Sequence, residues 1–157
     1  MKSTITLAAL ASFLAVPIML YAQSEVGTWK LNTSKSKYTG ITARQSMTNT
    51  TESQGDGIKS HSEGVASDGS PINYAYSGKY DGKDNPVTGS GAPNGADSVA
   101  MKRIDAHTTE ATFKKGGKVV NTARVSISVD GKVRTITAKG KGPDGKSTSL
   151  HLVYEKQ

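Results

Sequence analysis

Closely spaced turn signals are the feature that most constrains this chain. Asp-Gly pairs recur five times between residues 56 and 145, and Asn94-Gly95 and Gly116-Gly117 are turn signals of the same class. Such pairs favour the tight turn between antiparallel strands because they tolerate positive φ. Most follow one another at intervals of 12 to 14 residues, and the 22-residue gap after Asn94 divides near Asp105-Ala106-His107. This spacing predicts one strand and one turn, repeated along the chain.

Between the turns, apolar and polar residues alternate with a period of two. Within Ile72–Tyr76, the isoleucine and two tyrosines share one face of a strand. A longer one-sided apolar series runs from Val119 to Val129 and is interrupted by Asn121. No segment after residue 22 keeps a helical period, apart from a short helical turn around Ser34–Lys37. The alternation therefore predicts an all-β fold.

The predicted architecture is an up-and-down antiparallel meander of about ten strands. A long meander has two exposed edges, and closure removes them, so we predict a closed or nearly closed barrel. The predicted inward faces carry many Thr, Ser, Gly and Ala residues, and a barrel of eight to ten strands has room for side chains or one small ligand. The predicted strands begin near Val26, Gln45, Ile58, Ile72, Asn85, Asp97, His107, Lys118, Lys132 and Lys146.

The first 22 residues have the features of a secretory signal peptide. Lys2 precedes an uncharged run from Ile5 to Leu20, and Ala22 is a small residue suited to the last position before cleavage. This run of 16 residues is short for a membrane span, and Pro17 interrupts it. We therefore predict a cleaved signal peptide (1–22), a single β-barrel domain (23–157), and a secreted or periplasmic protein without stable membrane insertion. An uncleaved anchor is the alternative.

The charge distribution indicates a solvated basic surface. The chain has 20 Lys and Arg residues against 13 Asp and Glu residues, with a pI near 9.6. The two signs are interleaved, and no block of five or six like charges occurs. We therefore predict no nucleic-acid partner. The protein is also predicted to be a monomer. The absence of cysteine excludes disulfides and Cys-ligated metal sites.

The sequence predicts no catalytic residue, no metal site and no cofactor. His61, His107 and His151 fall on different predicted segments, without the short spacing of metal ligands. Gly140–Gly145 matches Gly-x-Gly-x-x-Gly, but it leads through a Pro-Asp-Gly turn into a strand, whereas a dinucleotide site needs a following helix. There is also no Gly-x-Ser-x-Gly nucleophile motif. An enzyme on a barrel scaffold would need a His and a Glu clustered at the barrel mouth.

The start and end of the predicted domain resemble the calycin superfamily, which includes the lipocalins and the intracellular fatty-acid-binding proteins. Gly27-Thr28-Trp29 resembles the Gly-x-Trp opening of that superfamily, and the Asp-Gly-Lys hairpins resemble its fatty-acid-binding branch. That branch holds a ligand carboxylate with an Arg-x-Tyr pair on the last strand. Tyr154 matches the Tyr, but Leu152 stands where the Arg would be.

The resemblance implies that Trp29 packs across one end of the barrel beneath a basic side chain. Arg134, Arg124 and Lys156 are the candidates for that side chain.

The predicted function is non-catalytic binding of a small apolar or amphiphilic molecule inside the barrel of an exported protein. Tyrosines suit such a ligand because they offer an apolar ring and a polar tip. The alternative is a cell-envelope interaction or structural module that acts through its basic surface or a sheet edge. The predicted ligand-binding residues are Trp29, Leu31, Tyr74, Tyr76, Met101, Ile127, Leu150, Leu152 and Tyr154.

Overall fold

A computed structural model describes residues 25–142 and 144–157, which form a closed antiparallel barrel of ten strands with one further strand. Neighbouring strands follow chain order, and the pairing of β1 with β11 closes the barrel. The all-β up-and-down meander predicted from the sequence is confirmed. The strands are β1 (Gly27–Leu31), β2 (Lys37–Thr39), β3 (Arg44–Gln54), β4 (Gly57–Ala66), β5 (Pro71–Lys79), β6 (Asp81–Ser90), β7 (Ser98–Arg103), β8 (Thr108–Lys115), β9 (Lys118–Ile127), β10 (Val133–Lys141) and β11 (Ser147–Lys156).

The predicted signal peptide lies outside the described residues. Across 25–142 and 144–157, no helix has the length and apolar character that a membrane span requires. The helical structure in this part of the chain includes two 3₁₀ turns, at Thr33–Lys35 and Pro93–Gly95. The first of these corresponds to the helical turn predicted around Ser34–Lys37.

Barrel closure leaves a gap beside β2. β1 and β2 lie end to end along one edge of β11, where Leu31 pairs with Tyr154 and Lys37 pairs with His151. β1 also pairs with β3, whereas β2 pairs only with β11. The backbone of Lys37–Thr39 is therefore not hydrogen-bonded into a ladder with the Arg44–Met47 part of β3. We call this gap the β2–β3 seam.

The predicted strand starts agree closely with the observed ones. Nine of the ten lie within one residue of an observed start; the exception is Asn85, because β6 begins at Asp81. Asp81-Gly82 lies inside the strand, where a register shift between Asp81 and Asp84 accommodates it. Gly82 adopts a φ of 76°, which suits such a bulge. The three-residue strand β2 was not predicted.

The one-sided apolar series predicted from Val119 to Val129, with an interruption at Asn121, is wrong at both ends. Asn121 is buried, whereas Val119 is 59% exposed and Val129 is 90% exposed. Phe113 pairs with Asn121 but Lys114 pairs with Val119, so β9 carries one extra residue at Val120. This bulge reverses the alternation before Asn121. Val129 lies beyond the end of β9.

Small side chains fill much of the barrel interior. Two apolar clusters occupy it, one around Trp29 and Tyr154 and the other around Val99 and Phe113. Between these larger residues, many inward positions carry Ala, Ser or Thr, as the sequence predicted. Because such side chains cannot reach across the barrel, they leave interior space unfilled. The small buried residues include Ser60, Ser62, Thr109, Ala111, Ala123 and Ala138.

Candidate ligand-binding cavity

The barrel encloses a cavity with a mixed apolar and hydroxyl lining. Its volume is about 90 Å³, whereas pockets for drug-sized ligands are typically about 300–1,000 Å³. The space is therefore smaller than the inward Ala, Ser and Thr residues led us to expect. The apolar part of the lining includes Met47, Ile58, Met101, Phe113 and Leu152, and the hydroxyl part includes Ser60, Ser62, Tyr76 and Thr109.

The structure brings most of the predicted ligand-binding residues together around this cavity. Trp29, Leu31 and Ile127 are buried in the adjoining apolar cluster instead and are not part of the lining. Ligand contact stays a prediction for all nine. The six predicted residues that line the cavity are Tyr74, Tyr76, Met101, Leu150, Leu152 and Tyr154.

Trp29 lies beneath two basic side chains. Its side chain is fully buried. The guanidinium carbon of Arg134 lies 4.4 Å from the Trp29 ring centroid, and Nζ of Lys156 lies 5.3 Å from it. Both distances permit cation–π attraction. Two of the three candidate basic residues thus contact the ring, and the third, Arg124, is exposed on β9.

Arg134 is held by acceptors from separate parts of the chain. Its Nη2 donates to the Glu25 carbonyl oxygen at 2.9 Å and to Thr51 Oγ1 at 3.1 Å, and its Nη1 donates to Asn49 Oδ1. Trp29 Nε1 donates to the same Glu25 carbonyl at 3.0 Å. Burial lowers the pKa of Arg134, and the Glu25 carboxylate opposes that shift. We refer to these five residues as the Arg134 cluster.

The Glu25 side chain extends this cluster towards the cavity. Its carboxylate accepts hydrogen bonds from the Tyr80 hydroxyl and from Thr109 Oγ1, the latter at 3.3 Å. Burial raises the pKa of Tyr80, and the Glu25 carboxylate raises it further. The guanidinium of Arg103 lies 4.6 Å from the Tyr80 ring centroid. The Glu25 carboxylate therefore accepts from two hydroxyl groups of the cavity lining, those of Tyr80 and Thr109.

Arg44 also lines the cavity, but its surroundings differ. It begins β3, at the β2–β3 seam, and is 9% exposed. Its Nε and Nη1 atoms are buried and have no hydrogen-bond partner within the described part of the chain, and the same holds for the Tyr38 hydroxyl. Burial raises the pKa of the Tyr154 hydroxyl. The charge of Arg44 lowers that pKa, and Tyr38 raises it further.

Tyr76 contributes a neutral hydroxyl to the cavity. Burial raises its pKa to about 12, with a further contribution from Tyr74, whereas Ser60 opposes the shift through a hydrogen bond. The hydroxyl therefore remains protonated over the physiological pH range. It can donate a hydrogen bond to a ligand or accept one.

Within the described ranges, no group of three or more His, Cys, Asp or Glu side chains is placed to hold a metal ion. His61 forms a hydrogen bond with Asn73 on the neighbouring strand.

The sequence reasoning missed several polar residues of the interior. Glu25 precedes the first strand, and its contacts with Tyr80 and Thr109 span 55 and 84 residues, so no local pattern could have revealed them. Asn49 and Thr51 alternate with polar residues on β3 and carried no apolar signal. Arg44 follows from a register shift that alternation alone does not reveal.

No protein-family model matches this chain, and no curated protein matches it. Among solved structures, zebrafish ileal bile acid-binding protein complexed with cholic acid matches with a TM-score of 0.49 and 9% identity, over 85% of this chain and 99% of that one. The redesigned β barrel mFAP1 bound to DFHBI matches with a TM-score of 0.42 and 14% identity, over 87% of this chain and 98% of that one. Lobster apocrustacyanin A1 matches with a TM-score of 0.44 and 14% identity, over 90% of this chain and 69% of that one. The closed up-and-down order of the strands agrees with the barrel predicted from the sequence.

Proposed function

We propose that this protein binds a small or slender amphiphilic molecule inside its barrel, without catalysing a reaction. The observation that carries the proposal is the cavity in the closed barrel, with apolar side chains and hydroxyl groups in one lining. Burial of an apolar ligand surface contributes roughly 25 cal/mol per Å² before the costs of binding. The hydroxyl groups of Ser60, Tyr76 and Thr109 would then set the orientation of the ligand.

The volume of the cavity restricts the ligand. At about 90 Å³, the cavity has room for several waters but not for a rigid drug-sized molecule. A chain-like ligand could extend further if it displaced flexible side chains. Met47 and Met101 line the cavity and are suited to this, because an unbranched thioether adapts to irregular space.

Export remains part of the proposal. Cleavage after Ala22 would leave Glu25 as the third residue of the mature chain, and the Arg134 cluster needs that residue. Intact-mass measurement of the protein recovered from the periplasm or medium tests this prediction. A mass that includes residues 1–22 would contradict cleavage.

The cell-envelope alternative loses part of its basis. Because β1 pairs with β11, the barrel lacks the two long edges of an open meander, and the sheet-edge form of that hypothesis is not favoured. Association through the basic surface stays a prediction, and salt-dependent binding to an anionic polymer tests it.

The cavity hypothesis is tested by native mass spectrometry for a co-purified molecule and by calorimetric titration with neutral n-alkanols from butanol to octanol. A matched pair of variants distinguishes alkanol binding inside the barrel from binding on its outer surface. Ala123→Leu fills the cavity, whereas Ala75→Leu makes the same change on the outward face of β5. We expect Ala123→Leu to weaken alkanol binding at least about ten-fold, the effect of losing roughly 1.4 kcal/mol, and Ala75→Leu to leave it unchanged.

Circular dichroism must confirm that both variants keep the native fold. If no molecule co-purifies and no alkanol binds, the proposed function is wrong. If Ala123→Leu binds alkanols as the unmodified protein does, binding occurs outside the barrel and the proposal also fails.

A further inference from the structure

We propose that Arg44, with the Tyr38 hydroxyl, binds the carboxylate head group of an amphiphilic ligand whose apolar part enters the barrel. This inference rests on the proposed function and specifies the charge and orientation of the ligand.

A β-bulge turns Arg44 towards the interior. Met47, Asn49 and Thr51 are buried at alternate positions of β3, so simple alternation would point Gln45 inward and Arg44 outward. The pairing with β4 shifts between Arg44 and Ser46, and Arg44 is buried while Gln45 is exposed. Bulges of this kind are typical of functional sites, where they redirect a side chain. The local irregularity thus places a cation in the cavity lining.

The redirected guanidinium has unused donors. Nε and Nη1 of Arg44 are buried without an acceptor among residues 25–142 and 144–157, and the Tyr38 hydroxyl beside the seam is likewise unpaired. A buried donor that has lost water and gained no partner is destabilising, and the penalty is larger when the donor is charged. An anion bound here would supply the missing acceptors.

The charges that line the cavity favour a monoanion. Glu25 and Arg134 belong to one cluster, in which the Glu25 carboxylate acts to raise the pKa of Arg134. Glu110 lies on the face of β8 opposite Ala111, and in register it neighbours Lys102 and Arg124. Of the described residues that line the cavity, this leaves the charge of Arg44 without a counterpart. A single carboxylate balances it, whereas a phosphate monoester adds nearly two negative charges at neutral pH.

The position of Arg44 is consistent with a ligand whose apolar chain enters the barrel first and whose head group stays at the β2–β3 seam. Arg44 and Tyr38 lie on the two sides of the β2–β3 seam, where the backbone ladder is interrupted. Met47, Tyr74 and Leu152 line the same cavity as Arg44. An apolar chain among these three residues would leave its carboxylate at the seam, close to solvent.

The test compares hexanoate with hexanol by calorimetry near neutral pH, where hexanoate is ionised. The two ligands share a chain length and differ in the charge of the head group. We expect hexanoate to bind at least about ten-fold more tightly than hexanol, as charged hydrogen bonds predict. Arg44→Met should abolish this preference, so that hexanoate binds no more tightly than hexanol. Arg124→Met, which removes an exposed arginine, should retain the preference.

Each outcome has a defined consequence. If hexanol binds but hexanoate binds no more tightly, or if Arg44→Met keeps the preference, the head-group inference is overturned and the proposed function stands. If hexyl phosphate binds at least about ten-fold more tightly than hexanoate, the assignment to a carboxylate is overturned. If neither hexanol nor hexanoate binds, both proposals fall. Should Arg44→Met lose the native circular dichroism spectrum, Arg44→Lys replaces it and should weaken the preference, because an ammonium lacks the guanidinium geometry.

Discussion

Two arginines of this barrel are similarly buried but differently satisfied. Arg134 is 5% exposed and Arg44 is 9% exposed. Both terminal nitrogens of Arg134 donate to acceptors, and the Trp29 ring lies against its guanidinium. Nε of both arginines is buried without an acceptor in the described part of the chain, but Arg44 also leaves its terminal Nη1 without one. The comparison teaches that burial alone does not distinguish a structural cation from a binding one; the acceptors around it do.

The two arginines differ in their acceptors because the strands around them are paired differently. Arg134 lies where β1, β3 and β11 are hydrogen-bonded together, so acceptors from several segments reach it. Arg44 lies at the β2–β3 seam, where the ladder is interrupted. A continuous ladder provides fixed partners, and an interrupted one leaves space that a ligand can occupy.

The largest effect is expected for Arg134→Met. This change removes one of the two donors to Asn49 Oδ1, leaving the Thr51 hydroxyl as the other, and it removes the cation near the Glu25 carboxylate. We expect the free energy of unfolding to fall by about 3–5 kcal/mol, as for other broken buried ionic contacts. Urea denaturation followed by the fluorescence of Trp29, the only tryptophan of the chain, measures it. Arg124→Met is the control and should change stability by less than about 0.5 kcal/mol. A loss below about 1 kcal/mol for Arg134→Met would mean that the Arg134 cluster is not structural.

Tyr80→Phe is expected to have the next largest effect. It removes the donor to the Glu25 carboxylate, which is buried. An unpaired buried carboxylate oxygen should lower the free energy of unfolding by about 1–3 kcal/mol. Tyr38→Phe is the matched control at the other region: its hydroxyl has no partner in the described chain, so its removal should leave stability unchanged or raise it. Equal losses in the two variants would contradict the contrast between the regions.

The buried tyrosines predict a loss of stability at high pH. The pKa of Tyr76 is raised to about 12 in the folded protein, whereas an unfolded tyrosine ionises near pH 10. The stabilisation is therefore fully present below about pH 10 and is lost as the pH rises towards about 12. At about pH 11, Tyr76 should account for a loss of roughly 1 kcal/mol. Unfolding curves at increasing pH measure the slope, and Tyr76→Phe should reduce it. An unchanged slope in that variant would show that Tyr76 is not shielded from water.

The order of the strands could be predicted from the sequence, but the polar interior could not. Asp-Gly turns and period-two alternation are local, so they place strands to within a residue where pairing is regular. Three of the failures lie at register shifts: Asp81–Asp84, Phe113–Lys114 and Arg44–Ser46. A bulge adds one residue to one strand, and its position depends on the partner strand. Arg44 was missed for that reason.

The candidate site shows the same division between local and distant information. Six of its apolar and aromatic residues follow from alternation, because inward positions on regular strands carry them. The contact of Glu25 with Thr109 joins residues 84 positions apart, and only the closed barrel brings them together. The cavity volume depends on how side chains from all strands meet, so small inward residues indicate unfilled space but not its size.

The smallest predicted effect, with the opposite sign, belongs to Arg44→Met. Methionine has a comparable length and adapts to irregular space, and the change removes a desolvated cation that has no acceptor in the described chain. Replacing buried charges by apolar groups of similar volume is often neutral or stabilising, so we expect the free energy of unfolding to stay unchanged or rise by up to about 1 kcal/mol. The measurement is the same urea denaturation, without ligand. A loss as large as that of Arg134→Met would mean that Arg44 has an acceptor in the folded protein, and the contrast between the two arginines would disappear. With excess hexanoate the unmodified protein should become the more stable of the two, because it binds hexanoate more tightly than Arg44→Met does.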